Sequence, residues 1–250
     1  MAKKSKTSDE SSLWRLNGPI ASLRSSLLGA EVDLRSPLSG LHDLNFGSRT
    51  IEGSVLGIST NTDLSNEGRD ADDVFVRGND LIAGYRETKE RPFALQVYWS
   101  ITEPAAHSVF IDLLLSLQTT LLESYPSVMV HSALHCDEIW AVSDQGAATR
   151  LQGNASDQRS VGAACLVMRA EGCEWSYAEM ASFDEQSGFQ LETCSPGVWG
   201  LRRELGGSFL EKGVIRRLQV RGAFLPRHED LQLAAECLAG LSAEAPPLTA

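Results

Sequence analysis

The sequence has no apolar run long enough to cross a membrane as a helix, which takes roughly 18 residues. Its nearest approach, VFIDLLLSL at 109–117, is shorter and carries Asp112. It has no excess of positive charge either. Its 22 Lys and Arg stand against 33 Asp and Glu, a formal net charge of −11. Phosphate recognition needs a positive field, so neither nucleic acid nor an anionic membrane is expected as a partner. The five cysteines, Cys136, Cys165, Cys173, Cys194 and Cys237, include no C-x-x-C pair. An odd count without tight spacing implies reduced thiols and a cytoplasmic location rather than a disulfide frame. The opening MAKKSKTSDESS is basic but has no apolar segment behind it, so it does not follow the secretory pattern. Walker, G-x-G-x-x-G, G-x-S-x-G and H-E-x-x-H motifs are missing too. Common nucleotide, hydrolase and zincin chemistries are therefore disfavoured, and no cofactor is expected.

What is present reads as β structure. With 250 residues, 42% of them hydrophobic, the chain can bury a substantial core. Val32 and Leu34 alternate with Asp33 and Arg35, and Gly40, Gly47, Gly53 and Gly57 punctuate the next stretch of chain. That pattern suits short strands and turns. The polar stretch 59–73 lacks calcium-loop spacing and reads as a solvated loop. DVFVRGNDLIAGY and RPFALQVYWSI form a hairpin or meander. Segment 109–123 is ambiguous between a buried leucine helix and a strand; the strand is favoured, because Val109, Ile111, Leu113, Leu115 and Leu117 share one face of it. A faint echo between 72–83 and 137–148 suggests two similar sheets packed together. One helix is clear near the C-terminus, with Glu229 and Asp230 in its first turn, a stripe of Leu231, Ala234, Ala235 and Leu238, and Gly240 as its stop. The expected fold is a large antiparallel β-sandwich with a C-terminal helix, one domain over 14–243, with tails at 1–13 and 244–250.

HSALHCDEIW, residues 131–140, is the one dense cluster of reactive side chains. On a helix, His131 and His135 would share a face and could hold a metal. On a strand they still share a face but stand roughly 13 Å apart, at about 3.3 Å per residue. The valines before them and IWAV after them favour the strand, so no metal site is assigned. One histidine can still act as an acid/base group with partners elsewhere. Cys136 lies beside Asp137 and Glu138, which disfavour a thiolate.

The second candidate is the ribbon 199–227, which holds Arg202, Arg203, Lys212, Arg216, Arg217, Arg221 and Arg227 against Glu204 and Glu211. Alternation places Arg217, Gln219 and Arg221 on one strand face, with Leu218, Val220 and Phe224 on the other. Forked guanidinium donors on an exposed sheet face suit carboxylate, sulfate or phosphate. The same pattern also describes a solvated face laced with ion pairs. Trp140 and Trp175 can stack on a sugar ring or fill the core.

The stretch LLGAEVDLRSPLSGLHDLNFGSRTI, residues 27–51, resembles the opening strands of galactose-mutarotase-like β-supersandwich domains, where an L-x-A-E-V-D strand leads through a glycine turn to G-L-x-x-L. That resemblance implies a sheet face turned towards carbohydrate. Aldose epimerases of this kind use histidines and a late glutamate around the anomeric carbon. On that basis His131 or His135 with Glu179 or Glu192 are the candidate catalytic residues, although the family's Asn-His-aromatic stretch is absent.

Three functional readings fit these residues. They are a binder of carbohydrate or another polar or anionic small molecule, an aldose-epimerase-like enzyme using histidine and glutamate, and an interaction scaffold. Position separates them: the first two require His131, Glu179 and Arg217 to converge on one pocket.

Overall fold

A computed structural model describes residues 12–60, 71–104, 107–151, 164–181 and 186–244. The outer parts of both expected tails and the centre of the 59–73 loop lie outside these residues. The chain opens as an antiparallel meander of five strands, Trp14–Asn17, Ile20–Arg24, Leu28–Asp33, His42–Phe46 and Arg49–Thr50. Four strands form a second sheet in the order Gln186–Ser195, Val198–Gly206, Ser127–His135 and Gly53–Thr60. The third sheet has nine. From one edge to the other they are Ala148–Leu151, Glu138–Val142, Cys165–Arg169, Trp175–Ala181, Ile215–Pro226, Val109–Gln118, Ala94–Thr102, Asp80–Tyr85 and Asp73–Arg77. A short ribbon of Glu123–Ser124 with Leu210–Glu211 makes a fourth sheet, and one continuous cluster of buried apolar side chains joins all four.

Residues 109–118 are a strand. They pair without interruption with 215–224 on one side, from Val109 opposite Phe224 to Gln118 opposite Ile215, and with 94–102 on the other. The five alternate apolar residues, Val109 to Leu117, are all fully buried. Each is worth about 1.5–3 kcal/mol in removed apolar surface. A helix would have spread them around its circumference.

The two echoing segments do not form two sheets. Asp73–Arg77 pairs with Asp80–Tyr85 at one edge of the nine-stranded sheet, and Glu138–Val142 pairs with Ala148–Leu151 at the other. Each hairpin ends the same sheet.

The helix, Asp230–Ala243, lies on the outer face of the nine-stranded sheet, against strands 138–142, 165–169, 175–181 and 215–226. Ala178 and Ala223 on the sheet and Ala234 on the helix let the two surfaces approach closely, and Leu238, Leu225 and Val167 fill the contact. Gly240 does not stop the helix. The last turn continues because Leu241 is buried on the sheet, which outweighs the roughly 1 kcal/mol that a helical glycine costs relative to alanine. Asp230 is itself buried. It accepts from Arg169 Nε at 2.8 Å and Nη2 at 2.6 Å, and from the Ser176 hydroxyl, which ties the helix start to the sheet.

The meander meets the four-stranded sheet through two glycines. A Cβ on Gly57 would sit 2.0 Å from the Leu38 carbonyl oxygen, and one on Gly40, whose φ is +59°, would sit 2.3 Å from that of Val55. The two backbones pass too closely for any side chain.

Candidate functional site

The outer face of the nine-stranded sheet is only half covered by the helix. On the other half three adjacent strands line up in register as a grid. One row is Gln96, Ser116 and Arg217; the next is Tyr98, Leu114 and Gln219; the third is Ser100, Asp112 and Arg221. All nine are side chains opposite the core face, because their odd and even neighbours (Val97, Trp99, Leu113, Leu115, Leu218 and Val220) are buried in the central cluster. The grid measures about 10 Å across the strands and about 13 Å along them. Eight of its nine side chains are polar.

At one end of the grid Arg221 is neutralised. Its Nε and Nη2 donate to the two oxygens of Asp112 at 2.7 and 3.1 Å, and Nη2 also reaches Glu244 at 3.2 Å, at the helix end. Its guanidinium lies 5.4 Å from the Phe110 ring centre. Gln219 donates to the same Asp112 at 3.2 Å. The middle row and the row at the other end carry one charge between them, that of Arg217. The Tyr98 hydroxyl donates to Gln96 at 2.6 Å, and the buried Ser116 hydroxyl has no hydrogen-bond partner among the described residues. A cleft of about 240 Å³ adjoins this end, lined by Gln96, Ser116, Gln118, Arg86 and Ile215.

The other residues singled out from sequence do not join this grid. Glu179 faces the core between the nine-stranded and four-stranded sheets, fully buried. It accepts from Arg203 Nε at 3.0 Å, Tyr177 at 3.0 Å and Ser132 at 2.5 Å, while Arg203 Nη2 takes the Glu179 carbonyl at 2.8 Å. His131 follows the opposite parity to Ser132 and lies on the far side of the four-stranded sheet, sharing a hydrogen bond of 2.6 Å with Ser59. His135 is exposed, packed beneath Gly197. Glu192 pairs with Arg202 at 3.0 Å on that same far side. His131, Glu179 and Arg217 therefore occupy three different layers and do not converge. The basic ribbon also divides between two sheets: Arg202 and Arg203 point to opposite faces of one strand, and Arg216 donates to the carbonyls of Ser208 and Phe209.

Trp140 stacks under Arg169, 5.2 Å from its ring centre, and packs beside the helix cluster. Trp175 sits in an aromatic group with Phe46 and Phe224, at 5.9 and 5.5 Å. Burial, with Asp137 adding to it, pushes the Cys136 thiol up to about 12, so it is no nucleophile at neutral pH.

Sequence reasoning missed Gln96, Tyr98, Asp112 and Ser116. Their only signal is that each alternates with a buried apolar residue, which becomes a site only once the register with 215–226 is known.

Comparison with solved structures places this arrangement. A galactose mutarotase-like protein from Lactobacillus casei superposes with a TM-score of 0.56 at 11% identity, covering 82% of this chain and 99% of its own. The fold is galactose-mutarotase-like. An aldose epimerase homologue from C. elegans gives a TM-score of 0.51 at 11% identity, over 81% of this chain and 97% of its own. No family model and no curated protein matches the sequence. The mutarotase-like expectation drawn from residues 27–51 thus holds for the architecture as a whole. Within this mutarotase-like fold, the C-terminal helix and the polar grid divide one face of the large sheet between them.

Proposed function

We propose that this chain binds a carbohydrate on the grid of its nine-stranded sheet, without acid/base chemistry from His131 or Glu179. The observation that carries the reading is the grid itself. It offers hydroxyl, amide, carboxylate and guanidinium groups at sheet spacing, with the Tyr98 ring among them. Sugars present hydroxyls around a partly apolar ring, and such a surface answers both. The names of the similar proteins refer to sugars, which agrees with this reading. Binding is favoured over epimerisation because Glu179 lies on a separate layer from the histidines, and Glu192, which shares a face with His131, is paired with Arg202, whereas a general acid and base must reach one substrate.

The test is a thermal and calorimetric titration of the full chain with galactose, glucose, galacturonate and their disaccharides. A sugar that binds only the folded state adds about 2.7 kcal/mol at 100 times its Kd. Saturable binding that weakens tenfold or more in Gln96→Ala and in Gln219→Ala is expected. Binding indifferent to both substitutions, or no response to any of these sugars, would overturn the proposal.

A further inference from the structure

A second cavity, larger than the grid cleft, lies where several segments meet at the other end of the sandwich. Its volume is about 690 Å³, within the range of small-molecule sites. The segments are the turn after His42–Phe46, the loop between Cys165–Arg169 and Trp175–Ala181, and the stretch of Pro226 to His228 that leads into the helix, with Leu27 and His107 completing the wall.

Its walls combine an aromatic surface with positive charge. Phe46 and Trp175 line it, braced from behind by Phe224, which stacks on Phe46 at 5.3 Å. Arg49, Arg227, His107 and His228 line it as well, against one acid, Glu174. In a chain of net charge −11, a cavity lined by two permanent cations and one anion runs against the overall balance of charge.

Both arginines are pre-positioned. Arg49 Nη1 donates to the Gly172 carbonyl at 2.8 Å and Arg227 Nη1 to the Ala170 carbonyl at 2.7 Å, so one loop steadies both forks. A guanidinium has five N–H donors, so each retains others after these bonds. Glu138 stands 3.9 Å from Arg227 Nη2 and claims part of that charge, which leaves Arg49 as the stronger anion donor. A fork held in place loses less freedom on binding an oxyanion than a mobile one.

We propose that this cavity is a binding site for a small organic anion, a carboxylate or phosphate carried on a ring, with the ring against Phe46 and Trp175 and the oxyanion on Arg49 and Arg227. Aromatic stacking selects the ring and paired guanidinium forks select the planar or tetrahedral anion. The site is separate from the sugar-binding grid in both residues and chemistry.

The experiment is calorimetric titration of the full chain with phenyl phosphate, benzoate, inorganic phosphate and phenol, in wild type and in Arg49→Ala, Arg49→Lys and Arg217→Ala. Arg49 is exposed, so its replacements keep the fold, and the unfolding temperature of each variant checks this. Phenyl phosphate or benzoate is expected to bind more tightly than inorganic phosphate or phenol. Affinity should fall at least tenfold in Arg49→Ala, stay low in Arg49→Lys, and remain unchanged in Arg217→Ala. Equal affinity in Arg49→Ala, loss in Arg217→Ala instead, or no saturable binding of either ring anion would overturn the proposal.

Discussion

Glu179 and Arg203 meet at 3.0 Å between the nine-stranded and four-stranded sheets, and both side chains are buried. Ser132 and Tyr177 take up the second carboxylate oxygen, so the pair is buried with its polar atoms engaged. Removing one partner leaves a charge buried alone, which costs about 3–5 kcal/mol. Arg203→Ala should therefore unfold at markedly lower urea concentration than wild type. The double replacement Glu179→Leu with Arg203→Met removes both charges and should recover much of that loss. If Arg203→Ala unfolds like wild type, the clasp does not hold the sheets.

Stability should fall on the alkaline side. Burial pushes the thiols of Cys136 and Cys165 from the ordinary 9.0 up to about 12, and burial raises the Tyr177 hydroxyl in the same direction. Between about pH 9 and 12 the unfolded chain gives up protons that the folded chain keeps, so raising the pH favours unfolding. The loss amounts to roughly 1.4 kcal/mol per buried thiol by pH 10. Denaturant midpoints should be level from pH 7 to 8 and drop at pH 10. A midpoint unchanged at pH 10 would mean that these thiols titrate as freely in the fold as outside it.

Gly57→Ala tests the seam between the meander and the four-stranded sheet. The new methyl would meet the Leu38 carbonyl at 2.0 Å, and only backbone movement can relieve it. Such overpacking costs about 1–3 kcal/mol. A thermal scan should show the loss, and Gly47→Ala is a poor control because of its own φ of +60°. Gly240→Ala is the better one, since nothing lies within 4 Å of its Cβ position and alanine suits a helix.

The parts of this fold written as period-two alternation were legible from the sequence. Residues 109–118 could be read because one side of that strand is wholly apolar, and Arg217, Gln219 and Arg221 emerged on one face for the same reason. The helix was legible but its end was not. Gly240 carries a stop signal, and only the burial of Leu241 against the sheet overrides it. The burial of Glu179, a candidate catalytic residue by resemblance, was not legible, since nothing in its neighbourhood announces Ser132, 47 residues away, or Arg203, 24 away. His131 is a similar case. The choice of sheet face depends on which strands flank it, and those come from residues 53–60 and 198–206. Alternation gives two faces, but not which one meets the core of a neighbouring sheet.

The order of strands in the large sheet sets the order in which the molecule can be completed. Strand Ile215–Pro226 lies between Val109–Gln118 and Trp175–Ala181, so before residues 215–226 are made the other eight strands can pair only as two halves, each with an unpaired edge. One half runs from 73 to 118 and the other from 138 to 181. Those edges expose backbone donors and acceptors next to apolar strands, the condition that invites pairing with the wrong chain. The seam closes only when one of the last strands to be made slides between them. Loss of residues from 215 onward therefore removes the join between two halves of one sheet rather than trimming an end.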